Sequence, residues 1–364
     1  MARGRDIGIA LDGTPGPLNA ITDITGVEVG HTTILRGNGP LNVSEGPVRT
    51  GVTAVLPRGK SFAPVFAAGF SLNGNGEMTG MHWVEESGFL ESPIMLTNTH
   101  SVGTVRDTTI AWLNGHGLYS PIEADIFWHM PVVAETYDGV LSDINGFHVR
   151  PGHVVSALNK AVGGPVAEGS VGSGTGMICH GFKGGIGTAS RIMEIDGQLL
   201  TLGAFVQANH GKRADLTITG IPIGREIDAP HNLFNRNPTR ETGSIIVIVA
   251  TDAPLLPHQL KRLARRVPIG IGRVGAYGGN SSGDLFIAFS TANQQAFRRS
   301  GTAQATFIPN DELDQLFEAV VQSVEEAILN ALIAATDMTG RDGNTVYALP
   351  HDKLRVPLQK YGRR

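Results

Sequence analysis

The sequence predicts a mixed α/β or α+β chain, and three observations carry that prediction. Short apolar runs bounded by Gly, Pro, Asn or Asp recur along the whole length, and two segments place apolar residues at helical spacing. The third is glycine: 48 of 364 residues, about twice the ~7% of average usage, with no Gly-X-Y period that would make the chain fibrous. The glycines therefore serve turns and close backbone approaches inside a folded unit. The length admits one large core or two, at roughly 100–200 residues per domain, and no repeat or linker divides it.

Candidate strands run from Gly51 to Leu56, Ile94 to Asn98, Leu199 to Ala208, Leu216 to Ile221, Ser244 to Thr251 and Asp284 to Ser290. Several are apolar at consecutive positions, the pattern of strands covered on both faces. A helix is expected over His258 to Arg266, behind Pro257, and a longer one from Asp311 to about Thr336. In the latter Leu313, Leu316, Phe317, Val320, Val321, Val324, Ile328, Ala331 and Leu332 recur at helical spacing, with Asn310 placed to cap it. Glu226 to Gly243 reads instead as a long polar loop that stops abruptly at the apolar strand beginning with Ser244. Loops of that length inside compact domains are usually functional or disordered.

Composition removes several classes of function. With 29 Lys+Arg against 33 Asp+Glu and a net charge of −4, the chain lacks the basic footprint of a nucleic-acid binder. Charged residues make up 17%, below the ~25% of an average globular protein, which is the balance expected of a surface partly buried in an oligomer. The one cysteine, Cys179, allows neither an internal disulfide nor a CxxC zinc site, and a cytoplasmic location is expected. The N-terminus breaks at Asp12 and Gly13 before any run of secretory length, against a signal peptide. The longest strongly apolar run, Ile245 to Ala250, falls far short of the ~20 residues of a membrane helix.

Three motif scans give little. Gly270 to Gly275 satisfies GxGxxG but follows a helix instead of a strand, so a turn-rich loop is expected and no dinucleotide. Gly279 to Gly283 satisfies GxSxG, yet the strand comes after the serine, the reverse of a nucleophile elbow. No HExxH occurs, and His82, His100, His129, His148 and His153 lack ligand spacing, so neither metal nor cofactor is expected.

The Gly243-Ser244 junction offers another route to a nucleophile. A serine opening a buried strand, behind a flexible glycine, can attack its own preceding carbonyl and cut the chain. Its freed α-amine, with an unperturbed pKa of ~7.7–8.0, can then serve as base to its own hydroxyl. Read alone, Gly-Ser before a strand is equally a simple turn ending.

The wider sequence around this junction resembles the DmpA family of L-aminopeptidase D-amidase/D-esterases and β-peptidyl aminopeptidases. The resemblance lies in TNTHSVG (97–103), VVAETYDG (132–139), GSVGSGTG (169–176), GFKGGIGT (181–188), QAN (207–209), TGSI (242–245) and GGNSSGD (278–284), in the family's order across nearly the whole chain. It implies a single domain, 1–364, folded as a four-layer αββα sandwich of two mixed sheets, similar in outline to N-terminal-nucleophile hydrolases. It implies self-cleavage between Gly243 and Ser244 into chains 1–243 and 244–364, no cofactor, and a homotetramer. Carried over by position, Ser244 is the nucleophile, Asn209 the oxyanion-hole amide, Tyr137 a member of the catalytic centre, and Ser282 and Asp284 the groups that position the nucleophile and its amine. Glu135 corresponds to the acid that holds the substrate's free ammonium.

Each assignment has a plainer competitor: Asn209 as a turn former, Glu135 and Tyr137 as alternate residues of one strand face, Ser282 and Asp284 as local hydrogen-bonding residues at a strand start. For the glycine-rich 169–187 region, sheet packing is favoured over pocket lining. The implied activity is removal of the N-terminal residue from short peptides, amides or esters of L-, D- or β-residues. Two alternatives stand beside it: an acyl transferase of the ornithine acetyltransferase type, against which a serine instead of a threonine argues, and a silent binding or assembly protein on the same scaffold.

Overall fold

The computed structural model describes residues 2–118, 128–234 and 243–361. Among them, two mixed sheets carry the architecture. The first runs in the order β1 (Glu28–Arg36), β2 (Val48–Lys60), β5 (Ile94–Asn98), β6 (Val132–Thr136), with only the β5–β6 pair parallel. The second runs β4 (Phe89–Leu90), β3 (Val65–Gly74), β12 (Gly283–Ser290), β11 (Ser244–Thr251), β10 (Gln198–Asn209), β9 (Gly185–Ile195), with only β11–β12 parallel. Small hairpins join β7 (Ile178–Cys179) to β8 (Phe182–Lys183) and β13 (Met338–Thr339) to β14 (Thr345–Val346). The helices are α1 (Met81–Ser87), α2 (Val102–Gly115), α3 (Pro151–Asn159), α4 (Ile223–Glu226), α5 (Pro257–Ala264), α6 (Val267–Arg273), α7 (Asp314–Ile333) and α8 (His351–Lys360).

The unbroken apolar runs follow from burial on both faces. In β11 the side chains of Ile245, Val247 and Val249 join the core under α5, α6 and α7, while Ile246, Ile248 and Ala250 point the other way, the period-two alternation of a strand. There they meet Val55, Ile94, Leu96 and Ala134 of the other sheet. That sheet's far side, through Val52, Ala54, Met95 and Val133, packs on Val105 and Trp112 of α2 and Val154 and Leu158 of α3. The result is four layers, helix–sheet–sheet–helix, as the resemblance implies.

The expected strands at 94–98 and 244–251 match β5 and β11, and those at 199–208 and 284–290 match β10 and β12 to within one residue at each end. Leu216 to Ile221 is not a strand. It is a tight turn closed by the Ile218–Ile221 bridge, with Thr219 and Gly220 at positive φ; Leu216, Ile218 and Ile221 are apolar because the turn is buried. The Gly270–Gly275 segment is also not a turn-rich loop, since Gly270 to Arg273 are helical in α6. A Cβ on Gly270 would lie 2.8 Å from the Val321 carbonyl of α7, so that glycine serves helix–helix approach. Asn310 does not cap α7. Its side-chain oxygen accepts from Gln259 and Arg262 of α5 instead, and the helix begins at Asp314. Of the polar stretch 226–243, Leu233 bridges to Thr345, and 235–242 lie outside the described residues.

Candidate active site

The C-terminal ends of β5, β6 and β10 and the first residues of β11 and β12 share one end of the inter-sheet layer. Ser244 opens β11 there, with Asn209 as its antiparallel partner and Gly283 as its parallel one. It shares the face of Ile246 and Ile248, so its side chain turns toward the other sheet. It is buried, and its hydroxyl oxygen accepts a hydrogen bond from the Gly283 N–H at 3.2 Å. Backbone crowds it on both sides: a Cβ on Gly243 would lie 2.3 Å from the Asn209 carbonyl oxygen, and one on Gly283 2.4 Å from that of Asn75. Glycine is required at both positions because only hydrogen fits.

Directly paired residues of antiparallel strands project on the same face, which sets the Asn209 amide beside Ser244. The Asn209 Oδ1 accepts from the Ile178 N–H at 2.8 Å and its Nδ2 donates to the Tyr137 carbonyl at 3.1 Å. An amide nitrogen carries two protons, so this anchored group has a second donor proton beside the one given to the Tyr137 carbonyl. Tyr137 meets Asn209 through its backbone. Strand β6 ends at Thr136, so the shared-face argument does not extend from Glu135 to Tyr137. The tyrosine ring is 40% exposed and folds over Gly139, where an added Cβ would lie 2.3 Å from its hydroxyl.

Ser282 and Asp284 form one unit. The serine hydroxyl donates to Asp284 Oδ1 at 2.6 Å, and the same oxygen accepts the Ile245 N–H at 3.2 Å. The carboxylate thus grips the peptide immediately after Ser244. Asn73, which the sequence did not single out, accepts the Asp284 N–H at 2.9 Å and ties this unit to β3.

Glu135 is only 3% exposed. It accepts from the Glu77 N–H at 3.0 Å and from the Thr99 hydroxyl. Burial raises its pKa, while those two donors pull the other way. A Cβ added to Gly76 would lie 3.3 Å from Glu135 Oε1 and 3.3 Å from Gly283 Cα. The carboxylate and the residue that cradles the Ser244 hydroxyl are therefore separated by the width of a missing side chain. Beside them Asp138, fully buried, accepts from Asn98 Nδ2 at 3.0 Å and is pushed up to about 7 by burial. Neither Asn98 nor Asp138 was chosen from the sequence, although both lie inside its distinctive stretches.

The glycine-rich region packs the sheets, as favoured. A Cβ on Gly187 would lie 1.9 Å from the Ala327 carbonyl of α7, and one on Gly174 2.6 Å from the Ile186 nitrogen. Lys183, fully buried, donates to the carbonyls of Met177 and Gly184 at 2.9 and 2.8 Å, with that of Gly174 at 3.4 Å; it fastens this segment from within. Ser244, Asn209, Ser282, Asp284 and Glu135 belong to no group of three potential metal ligands among the described residues.

Comparison with known proteins agrees with this geometry. Residues 19–346 match the profile of peptidase family S58. The β-peptidyl aminopeptidase BapA of Sphingosinicella microcystinivorans is 51% identical, covering 99% of this chain and 93% of that protein. BapA of Sphingosinicella xenopeptidilytica is 45% identical over 100% of this chain and 92% of its own. Among solved structures, the L-aminopeptidase D-Ala-esterase/amidase of Ochrobactrum anthropi, described as a prototype serine aminopeptidase with a variant of the Ntn hydrolase fold, superimposes with a TM-score of 0.92 at 49% identity, covering 100% and 99% of the two chains. A Burkholderia sp. β-aminopeptidase gives 0.88 at 46% identity over the full length of both. The chain belongs to peptidase family S58.

Proposed function

We propose that this aminopeptidase is made as a precursor that cuts itself between Gly243 and Ser244, and that the freed serine is nucleophile and base in one residue. The observation that carries the reading is the seat of Ser244: a buried strand start, its hydroxyl on the Gly283 N–H, the anchored Asn209 amide opposite. In the precursor, Ser244 Oγ attacks the Gly243 carbonyl carbon, and the acyl group moves from nitrogen to oxygen. Water then hydrolyses the ester, leaving a Gly243 carboxylate and a Ser244 α-amine.

In the mature enzyme that amine takes the hydroxyl proton as Oγ attacks the scissile carbonyl. The Asn209 amide donates to the developing oxyanion, a role worth about 10²–10³ in kcat elsewhere. The amine returns the proton to the leaving group, and water releases the acyl-enzyme by the reverse path. Ser282 and Asp284 hold the peptide after the nucleophile, and Glu135 pairs with the substrate's ammonium. No step requires a metal or cofactor.

Substrates on this reading are short peptides, amides or esters with a free N-terminal amine, including D-Ala amides and β-peptides. A homotetramer accords with the low charged fraction and with the resemblance, and a cytoplasmic location with the single cysteine; no helix of the described residues is long and apolar enough to cross a membrane. Sedimentation equilibrium tests the assembly, and a monomer would contradict it. The activity is tested with p-nitroanilides of Gly, L-Ala, D-Ala and β-Ala: turnover of free-amine substrates by wild type and none by Ser244→Ala is the expected result. Undiminished turnover by Ser244→Ala would overturn it.

A further inference from the structure

Beside the oxyanion amide, on the other side of the Ile178–Asn209 hydrogen bond, the fold assembles a second cluster of reactive side chains. Cys179, at the end of β7, His180, in the turn to β8, and His210, one residue past β10, bring three ligand atoms within 4.8 Å of one another. All three residues are buried, and Cys179 Sγ already lies 3.8 Å from His210 Nδ1. Among the described residues, the Nε2 atoms of both histidines are buried without a hydrogen-bond partner. Buried polar nitrogens are rarely left so, since each costs about 1–3 kcal/mol.

The histidine at 180 is held for this geometry. His180 and Gly181 are the central residues of a two-residue hairpin turn, both at positive φ, +47° and +67°. Such turns favour Asn-Gly or Gly-Gly, and a histidine there is a strained choice of the kind that collects at functional sites. Its Nδ1–H donates to the Lys212 carbonyl at 3.2 Å. That bond fixes the tautomer with the Nε2 lone pair free, the arrangement in which metal-ligating histidines are oriented by a backbone carbonyl. Gly211 packs against the ring, where a Cβ would lie 2.5 Å from His180 Cε1, so only glycine leaves room for it.

We propose that Cys179, His180 and His210 form a binding site for a thiophilic transition-metal ion of the Zn²⁺ type, separate from the hydrolytic machinery. On binding, Cys179 gives its thiol proton to solvent and its sulfur bonds the metal, with His180 through Nε2 and His210 through a ring nitrogen; water or a backbone oxygen fills the fourth position. Tetrahedral zinc, with bonds of about 2.0–2.3 Å, sets its ligand atoms about 3.3–3.6 Å apart, so the cluster needs only a small contraction. Because Cys179 follows Ile178 and His210 follows Asn209, an occupied site clamps the two segments that hold the oxyanion amide.

The test uses the full chain without a polyhistidine tag, stripped with a chelator and titrated with Co²⁺ as a spectroscopic stand-in for Zn²⁺. Wild type is expected to take up one ion per chain, with a thiolate-to-metal band in the near ultraviolet and the visible bands of tetrahedral cobalt. His180→Asn, which suits the turn, should weaken binding by more than about 100-fold, beyond the 10–100-fold of an outer-shell change, while Ala-p-nitroanilide turnover by the metal-free variant stays at the wild-type level. Cys179→Ser should remove the thiolate band even if His180→Asn misfolds. No thiolate band in wild type, or equal binding by wild type and Cys179→Ser, overturns the proposal whatever the peptidase activity.

Discussion

Replacing Glu135 by Gln isolates the charge that would count the substrate from its amino end. The carboxylate rests on two donors, the Glu77 N–H at 3.0 Å and the Thr99 hydroxyl. A glutamine can keep its oxygen toward the amide and turn its NH₂ to Thr99, whose hydroxyl can rotate to accept. The variant should therefore fold and cut itself normally, since the precursor presents no free amine at Ser244. What it loses is one charge-assisted contact to an ammonium, about 1.5–3 kcal/mol, or roughly 10- to 150-fold in kcat/KM. N-Acetylation of the substrate is more severe, because it leaves the buried carboxylate with no cation. That penalty is about 3–5 kcal/mol, and the two existing donors place it near the lower bound, roughly two decades of kcat/KM. The assay is p-nitroaniline release from Ala-p-nitroanilide and its acetylated form, for both enzymes. Equal rates on the two substrates by wild type, or full activity of Glu135→Gln, would refute the reasoning.

Further outcomes follow from the same geometry. Gly76→Ala, whose Cβ would sit 3.3 Å from both Glu135 Oε1 and Gly283 Cα, should raise KM by roughly 10-fold, ~1.4 kcal/mol, near the low end of what overpacking costs; an unchanged KM would show that substrate does not enter that gap. Asn209→Ala should lower kcat by about 10²–10³, with a Co²⁺-independent drop in single-turnover acylation as the check. Burial raises the Glu135 pKa, so the acid limb of kcat/KM, which reports the free enzyme, should inflect above the ordinary carboxylate range. Activity is lost as pH falls through that value because the carboxylate protonates, and in Glu135→Gln this inflection should vanish, leaving the one that belongs to the Ser244 α-amine base.

Parts of this fold were legible because local pattern and burial agree. β5 and β11 are short, buried at every position, apolar through their middles and sharply punctuated, so their bounds could be read directly. β1 and β9 were not found: EVGHTTILR is polar along much of its length, and GIGTASRIMEI opens with two glycines, of which Gly187 permits the close approach of α7. In both, tertiary packing decides against local preference. The site divides the same way. Ser244 announces itself by the break between polar loop and apolar strand. Asn73, Thr99, Asn98 and Asp138 have no local mark, because their roles exist only where strands from both sheets converge. Cys179, His180 and His210 escape a spacing scan because β10 returns His210 to the β7 hairpin across about thirty residues of sequence.

Whether Ser244 becomes an N-terminus is measured directly by intact mass with N-terminal sequencing of the purified protein. Self-cleavage gives two chains of 243 and 121 residues (364 − 243 = 121), the shorter reading Ser-Ile-Ile-Val, and a single uncut chain is expected for Ser244→Ala. An active wild-type protein that remains one chain of 364 residues, or a small chain beginning at any other residue, would contradict it.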